Sequence, residues 1–208
     1  MNYTLEDIMT QAYPVMPVLA VERVEDAIPL AQALKAGGLN VLEVTLRTAN
    51  AMAVIEAMKT VAGVIVGAGT VTRVEQLHEL VRIGADFAIS PGATPALLAE
   101  GKRVELPFLP AIATVSEMMQ GLELGYEHFK FFPAEAAGGT AALKSFAGPF
   151  PKVRFCPTGG ISVKNFKDYL ALDNVTCVGG SWLVPSDALA EQDWDRIEAL
   201  ARQAFFLV

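Results

Sequence analysis

Apolar runs of β-prone residues recur along the chain, beginning near Val15, Val41, Val64, Phe87, Leu106, Glu127, Val153 and Val175. They lie roughly 20–26 residues apart, the length of one strand–helix unit with short loops. Between them the period changes to that of a helix. Val24, Ala27, Ile28, Ala31 and Leu34 mark one apolar stripe, and Val74, Leu77, Leu80 and Val81 another. Start signals agree with this reading. Thr72-Arg73-Val74-Glu75 and Thr114-Val115-Ser116-Glu117 have capping-box spacing, and Thr94-Pro95 puts an N-cap before a first-turn proline. Gly37-Gly38, Gly84, Gly101, Gly121 and Gly125 are expected at or beyond helix ends, where glycine tolerates the left-handed cap.

A short amphipathic helix from Thr4 to Ala12, capped by Thr4, precedes the first strand. A last helix is expected from about Asp193, with Trp194, Ile197, Leu200, Ala201 and Phe205 as its stripe. Eight alternations predict an α/β chain: a single-domain (β/α)8 TIM barrel over residues 1–208 with a short N-terminal helix. A doubly wound open sheet is the competing architecture. Its nucleotide-binding form would need a Gly-x-Gly-x-x-Gly turn after the first strand, and none is there.

A barrel of this kind carries its chemistry at the C-terminal ends of its strands. The run His128-Phe129-Lys130-Phe131-Phe132-Pro133-Ala134-Glu135 places one lysine in an aromatic strand. Alternation puts Lys130 on one face with His128 and Phe132, and Phe129 and Phe131 on the other. Burial strips the hydration from an ammonium and favours the neutral amine, a nucleophile. A lysine snorkelling from a strand end, or half of a buried ion pair, is the structural alternative. In Glu43-Val44-Thr45-Leu46-Arg47 the same alternation sends Glu43, Thr45 and Arg47 into the barrel, toward the cavity of Lys130. A purely structural Glu–Arg or Glu–Lys pair remains open there.

The third strand ends in Gly67-Ala68-Gly69-Thr70 and the fourth in Ser90-Pro91-Gly92. Their small side chains let a ligand approach the backbone, and Thr70 offers a hydroxyl and an N–H to a carboxylate. The seventh strand leads into Pro157-Thr158-Gly159-Gly160 and the eighth into Gly179-Gly180-Ser181. Glycine-rich loops at these two places form the recurring phosphate site of such barrels, although Gly-Gly pairs also serve as plain turns.

Charge narrows the partners. Sixteen Lys and Arg against 23 Asp and Glu give a net charge of −7, and no basic cluster stands out, so a nucleic-acid partner is not expected. An anionic substrate must then be held locally by backbone N–H groups and a few cations. Apolar residues make up 52% of the 208, enough for a large core. Two cysteines, Cys156 and Cys177, give no disulfide framework and read as small core residues. No signal-like or membrane-length apolar segment is found, and a cytoplasmic protein is expected. His78 lies on a helix and His128 early in a strand, so no metal site with Glu43 is expected.

Taken together and in order, these segments, with Arg154-Phe155-Cys156-Pro157-Thr158-Gly159-Gly160 and Gly179-Gly180-Ser181-Trp182-Leu183, resemble the 2-keto-3-deoxy-6-phosphogluconate (KDPG) aldolase and 2-keto-4-hydroxyglutarate (KHG) aldolase family over nearly the whole chain. The resemblance implies a TIM barrel and a homotrimer. It also implies metal-free, cofactor-free Schiff-base cleavage of KDPG to pyruvate and glyceraldehyde 3-phosphate, the aldol step of the Entner–Doudoroff route. By resemblance, Lys130 forms the imine and Glu43 is the general acid/base. Arg47 and Thr70 would hold the pyruvyl carboxylate, Pro91, Phe132 and Thr158 would shape the pocket, and Gly159, Gly160, Gly180 and Ser181 would cradle the phosphate. Alanine at Ala111, where the family often has glycine, and at Ala137, where it usually has asparagine, are minor departures. Other readings are an aldolase preferring 4-hydroxy-2-ketoglutarate or the galactonate epimer, a sugar-phosphate isomerase, and a phosphate-binding barrel without activity.

Overall fold

A computed structural model describes residues 3–207. Its strands are β1 (Val15–Leu19), β2 (Val41–Thr45), β3 (Ile65–Gly69), β4 (Ala88–Ile89), β5 (Phe108–Leu109), β6 (Ala111–Ile112), β7 (His128–Phe131), β8 (Arg154–Pro157) and β9 (Val178–Gly180). All pairings are parallel, in the orders β5-β4-β3-β2-β1-β9 and β6-β7-β8. The two arcs join at both ends. β5 and β6 are one strand interrupted at Pro110, which has no N–H for the ladder but still accepts from Lys130 N–H at 3.0 Å. β8 meets the β9 segment through parallel bridges Phe155–Val175 and Thr158–Gly179. The result is a closed eight-stranded barrel, as the spacing of the apolar runs predicts.

The pleat sorts side chains into two layers. Leu42, Val44, Phe129, Phe131, Phe155 and Val178 point outward into the layer beneath the helices. Met16, Val41, Ile65, Phe87, Ile89, Leu109, Cys156 and Cys177 point inward and fill the barrel's lower half. The helix Leu5–Gln11 closes that end with Ile8 and Met9, both fully buried. Its start is the expected one, with Thr4 and Asp7 forming a reciprocal capping box. Thr94 and Thr114 likewise cap the helices Pro95–Arg103 and Val115–Glu123, and Asp193 caps Trp194–Phe206.

Several expectations need correction. The helix Val74–Arg82 is capped from Arg73, one residue later than expected. Gln76 rather than Glu75 reaches back, its Oε1 accepting from the N–H groups of Thr72 and Arg73 at 2.8 and 3.1 Å. The outer members of three stripes, Val24, Ile28, Val81 and Phe205, are 37–42% exposed; each helix rests on the barrel along a narrower line than its apolar residues span. The eighth strand begins at Val178, three residues after Val175.

Gly101 and Gly121 are not caps. They lie within the helices Pro95–Arg103 and Val115–Glu123. A Cβ at Gly101 would come within 2.2 Å of the Phe108 ring, and one at Gly121 within 2.4 Å of the Phe129 ring. These glycines let helices sit directly on aromatic side chains of the barrel's outer layer. Gly121→Ala is therefore expected to lower stability by about 1–3 kcal/mol through overpacking, measurable by urea unfolding, with little change in ligand binding.

Candidate active site

With the lower half packed and plugged, polar groups gather in the upper half. The buried polar or charged side chains among the described residues include Glu43, Thr45, Ser90, Lys130 and Thr158, all near the C-terminal ends of strands. Such groups are expensive to bury without partners, and the partners found here are telling.

Lys130, on the inward face of β7, is paired in register with Ala111 on one side and Cys156 on the other. Its Nζ lies 3.0 Å from Oε1 of Glu43, which is 1% exposed. The Phe132 ring centroid is 5.5 Å from the same nitrogen. Space for the Glu43 carboxylate comes from β3, because a Cβ on Gly69 would sit 2.1 Å from Glu43 Oε1. Gly69→Ala should therefore push the carboxylate off the lysine. A misplacement on the order of 1 Å at a reacting group costs about 10²-fold in rate, so steady-state kcat is expected to fall by about that factor while the fold is retained.

Among the described residues, only two buried side-chain polar atoms lack a hydrogen-bond partner, Glu43 Oε2 and Thr158 Oγ1. Both lie in the upper barrel. An acceptor and a hydroxyl left unsatisfied inside a protein are anomalies that call for a ligand or water. Thr158 follows β8, its N–H donating to Phe131 O at 2.9 Å, and a Cβ on Gly179 would be 2.2 Å from its Oγ1. Thr70, directly after β3, has φ 62°. A β-branched residue in the left-handed region is strained, and strain of this sort concentrates at functional sites.

The rim is assembled from loops. Arg47 is exposed, two residues past β2, with its Nε on Thr45 Oγ1 at 3.1 Å. It does not pair with Lys130 or Glu43 as a continuous inward face would have it, because β2 ends at Thr45. Instead it shares with Ser181 a cavity of about 480 Å³ between the loops after β1 and β9, together with Arg23, Val21 and Val184. Pro91 follows β4 and is half-buried. Gly159 and Gly160 have φ 101° and 77°, and a Cβ on Gly159 would be 3.3 Å from the Phe132 ring. The loop after β8 thus touches the loop after β7, with Gly180 and Ser181 at the neighbouring strand end.

His78 Nε2 lies 3.2 Å from Glu100 Oε1 on the outside, and His128 starts β7 beside Glu6 and Glu127, its basicity lowered mainly by burial. No cluster of three His, Cys, Asp or Glu side chains suited to a metal occurs among the described residues. Contact with Cys156, then burial, raises the Cys177 thiol well above its ordinary range, as for an inert core thiol. Ser90, read from the sequence only as a small side chain at the end of the fourth strand, is fully buried, and its Oγ accepts from Ala111 N–H at 3.3 Å.

Residues 5–200 match the family model described as KDPG and KHG aldolase. The chain belongs to the KDPG and KHG aldolase family. It is 57% identical to the 2-dehydro-3-deoxy-phosphogluconate aldolase of Dickeya dadantii over 96% of this chain and 93% of that protein. It is 56% identical to the KHG/KDPG aldolase of Escherichia coli K12, with the same coverage. A crystal structure of KDPG aldolase from Legionella pneumophila, with pyruvate captured as a covalent carbinolamine intermediate, superposes with TM-score 0.95. It is 50% identical and covers 98% of this chain and 99% of that one. In this family member the aldolase frame surrounds the Lys130–Glu43 pair, with the Gly-Gly loops on its rim.

Proposed function

We propose that this chain is a class I aldolase cleaving KDPG to pyruvate and glyceraldehyde 3-phosphate, with residues 1–208 as a single barrel domain. The observation that carries the reading is the buried Lys130–Glu43 contact at 3.0 Å, with the second carboxylate oxygen of Glu43 unpartnered. One oxygen reaches the amine and the other is free for substrate or water.

The steps follow from that geometry. Proton transfer from Lys130 to Glu43 frees the amine, which attacks the C2 carbonyl of the keto acid. Glu43 returns a proton to the carbinolamine oxygen, water leaves, and a protonated imine remains as the electron sink. Glu43 then takes the C4 hydroxyl proton and the C3–C4 bond breaks. Glyceraldehyde 3-phosphate departs, the enamine is protonated at C3, and hydrolysis of the imine returns pyruvate and the lysine. The protonated imine formed on Lys130 is the electron sink here, so the scheme calls for no metal or cofactor.

Around this pair, Arg47 and Thr70 are assigned to the pyruvyl carboxylate, Pro91 and Phe132 to the pocket wall, and Thr158, through its unpartnered hydroxyl, to the substrate hydroxyls. Gly159, Gly160, Gly180 and Ser181 are assigned to the phosphate. The positive φ values of the first two glycines support this, since bare N–H groups of such turns form anion-binding concavities. The assembly is read as a homotrimer and the setting as cytoplasmic; among the described residues no helix is long and apolar enough to cross a membrane.

The relative from Escherichia coli is named for both KHG and KDPG, so the two substrates belong in one comparison. Pyruvate release measured with a lactate-dehydrogenase couple should give a higher kcat/KM on KDPG than on KHG or the galactonate epimer. Absence of pyruvate from all three would overturn the assignment.

A further inference from the structure

The motif around Lys130 ends on Glu135, a carboxylate that the cleavage chemistry does not use. It lies in the turns joining β7 to the helix Gly139–Ala147, and that segment is laced to the loop after β8. Ala134 N–H donates to Thr158 O at 2.8 Å, and Glu135 N–H donates to Gly159 O at 3.1 Å. The side chain continues the contact, because a Cβ on Gly160 would lie 2.6 Å from Glu135 Cγ.

On its other side Glu135 accepts, at Oε1, a hydrogen bond from the hydroxyl of Tyr169. Tyr169 is 1% exposed, on the short helix Phe166–Leu170. Burial, and then the bond to Glu135, raises its hydroxyl above the ordinary range, so it remains a donor at neutral pH. Gly139 completes the enclosure; a Cβ there would be 3.4 Å from the Tyr169 hydroxyl and 3.5 Å from Glu135 Oε1. The turn after β7 and the stretch running from the loop after β8 into the helix Phe166–Leu170 thus converge on one carboxylate directly behind Gly159-Gly160.

We propose that Tyr169 and Glu135 are positioning residues for the phosphate end of the substrate. Tyr169 fixes the Glu135 carboxylate against the back of the Gly159-Gly160 loop. The same bond keeps a negative charge from swinging toward the anion held there. The inference rests on the reading that these glycine loops hold the phosphate. A carboxylate beside a phosphate site would repel the substrate if it were free to turn, which gives the buried tyrosine hydroxyl a task that packing alone does not require.

The test is steady-state kinetics on KDPG and on its unphosphorylated analogue, 2-keto-3-deoxygluconate, for the wild type, Tyr169→Phe and Tyr169→Phe/Glu135→Gln. Tyr169→Phe should raise KM for KDPG by about tenfold to a hundredfold, the scale of one lost bond to a charged group. Its kcat on KDPG, and its kcat/KM on the analogue, should stay within about twofold of wild type, as expected when only binding of the phosphate end is touched. The double variant, with the charge gone, should recover most of the KM.

Equal losses on both substrates, no loss on either, or a double variant as poor as the single one would overturn the proposal. If wild type itself shows no preference for the phosphorylated substrate and inorganic phosphate does not compete, the phosphate-loop reading falls and the proposal falls with it. If wild type shows that preference and Tyr169→Phe leaves it intact, the positioning role alone is wrong.

Discussion

Lys130→Met is expected to abolish cleavage and covalent capture of pyruvate together. The loss in kcat/KM should be roughly 10⁴-fold or more, the scale reached when the nucleophile of a covalent mechanism is removed. Methionine keeps the apolar stem, so the site between Ala111 and Cys156 stays filled. The substitution also strands the Glu43 carboxylate, which is 1% exposed. Breaking a buried pair by removing one partner costs about 3–5 kcal/mol, and urea unfolding should register it. Lys130→Met/Glu43→Gln should regain most of that stability and none of the activity. This separates the nucleophile from the salt bridge. Retained turnover in a folded Lys130→Met variant would contradict the covalent route.

Glu43→Gln carries the second large effect. The amide keeps the shape that Gly69 accommodates but neither accepts nor returns a proton, so each step assigned to the carboxylate slows. A fall in kcat of about 10²–10⁴ is expected, the usual worth of a positioned general acid/base, with KM for KDPG little changed. Imine formation with pyruvate should persist at a reduced rate, because the amine is intact. Rapid-quench measurement of adduct formation beside steady-state kcat tests both halves. A Glu43→Gln enzyme with normal kcat would mean that another group or water moves the protons.

The architecture was legible because periodicity is a global signal: eight apolar runs at nearly constant spacing leave few ways to bury them. The pairing of Lys130 with Glu43 was legible for a related reason. Strand alternation sends both inward, and a barrel interior is small enough that two inward polar residues meet. Alternation stopped being a guide where the strands stop. Arg47 lies two residues beyond β2, and its side chain turned to Thr45 and the rim. Gly101 and Gly121 were misread as helix caps because a glycine that ends a helix and one that lets a helix rest on an aromatic ring look alike in sequence. The left-handed backbone at Thr70 and the meeting of Tyr169 with Glu135, 34 residues apart, had no sequence signal, since both depend on how finished loops pack. Helix stripes overstated burial at Val24, Ile28 and Phe205 because an apolar residue at the edge of a stripe costs little when exposed.

Borohydride reduction in the presence of pyruvate, followed by peptide mass mapping, tests the central claim most directly. One reduced pyruvyl adduct is expected, located on Lys130 and absent when borohydride is added without pyruvate. An unmodified Lys130 in folded protein, or an adduct carried by another lysine, would contradict it.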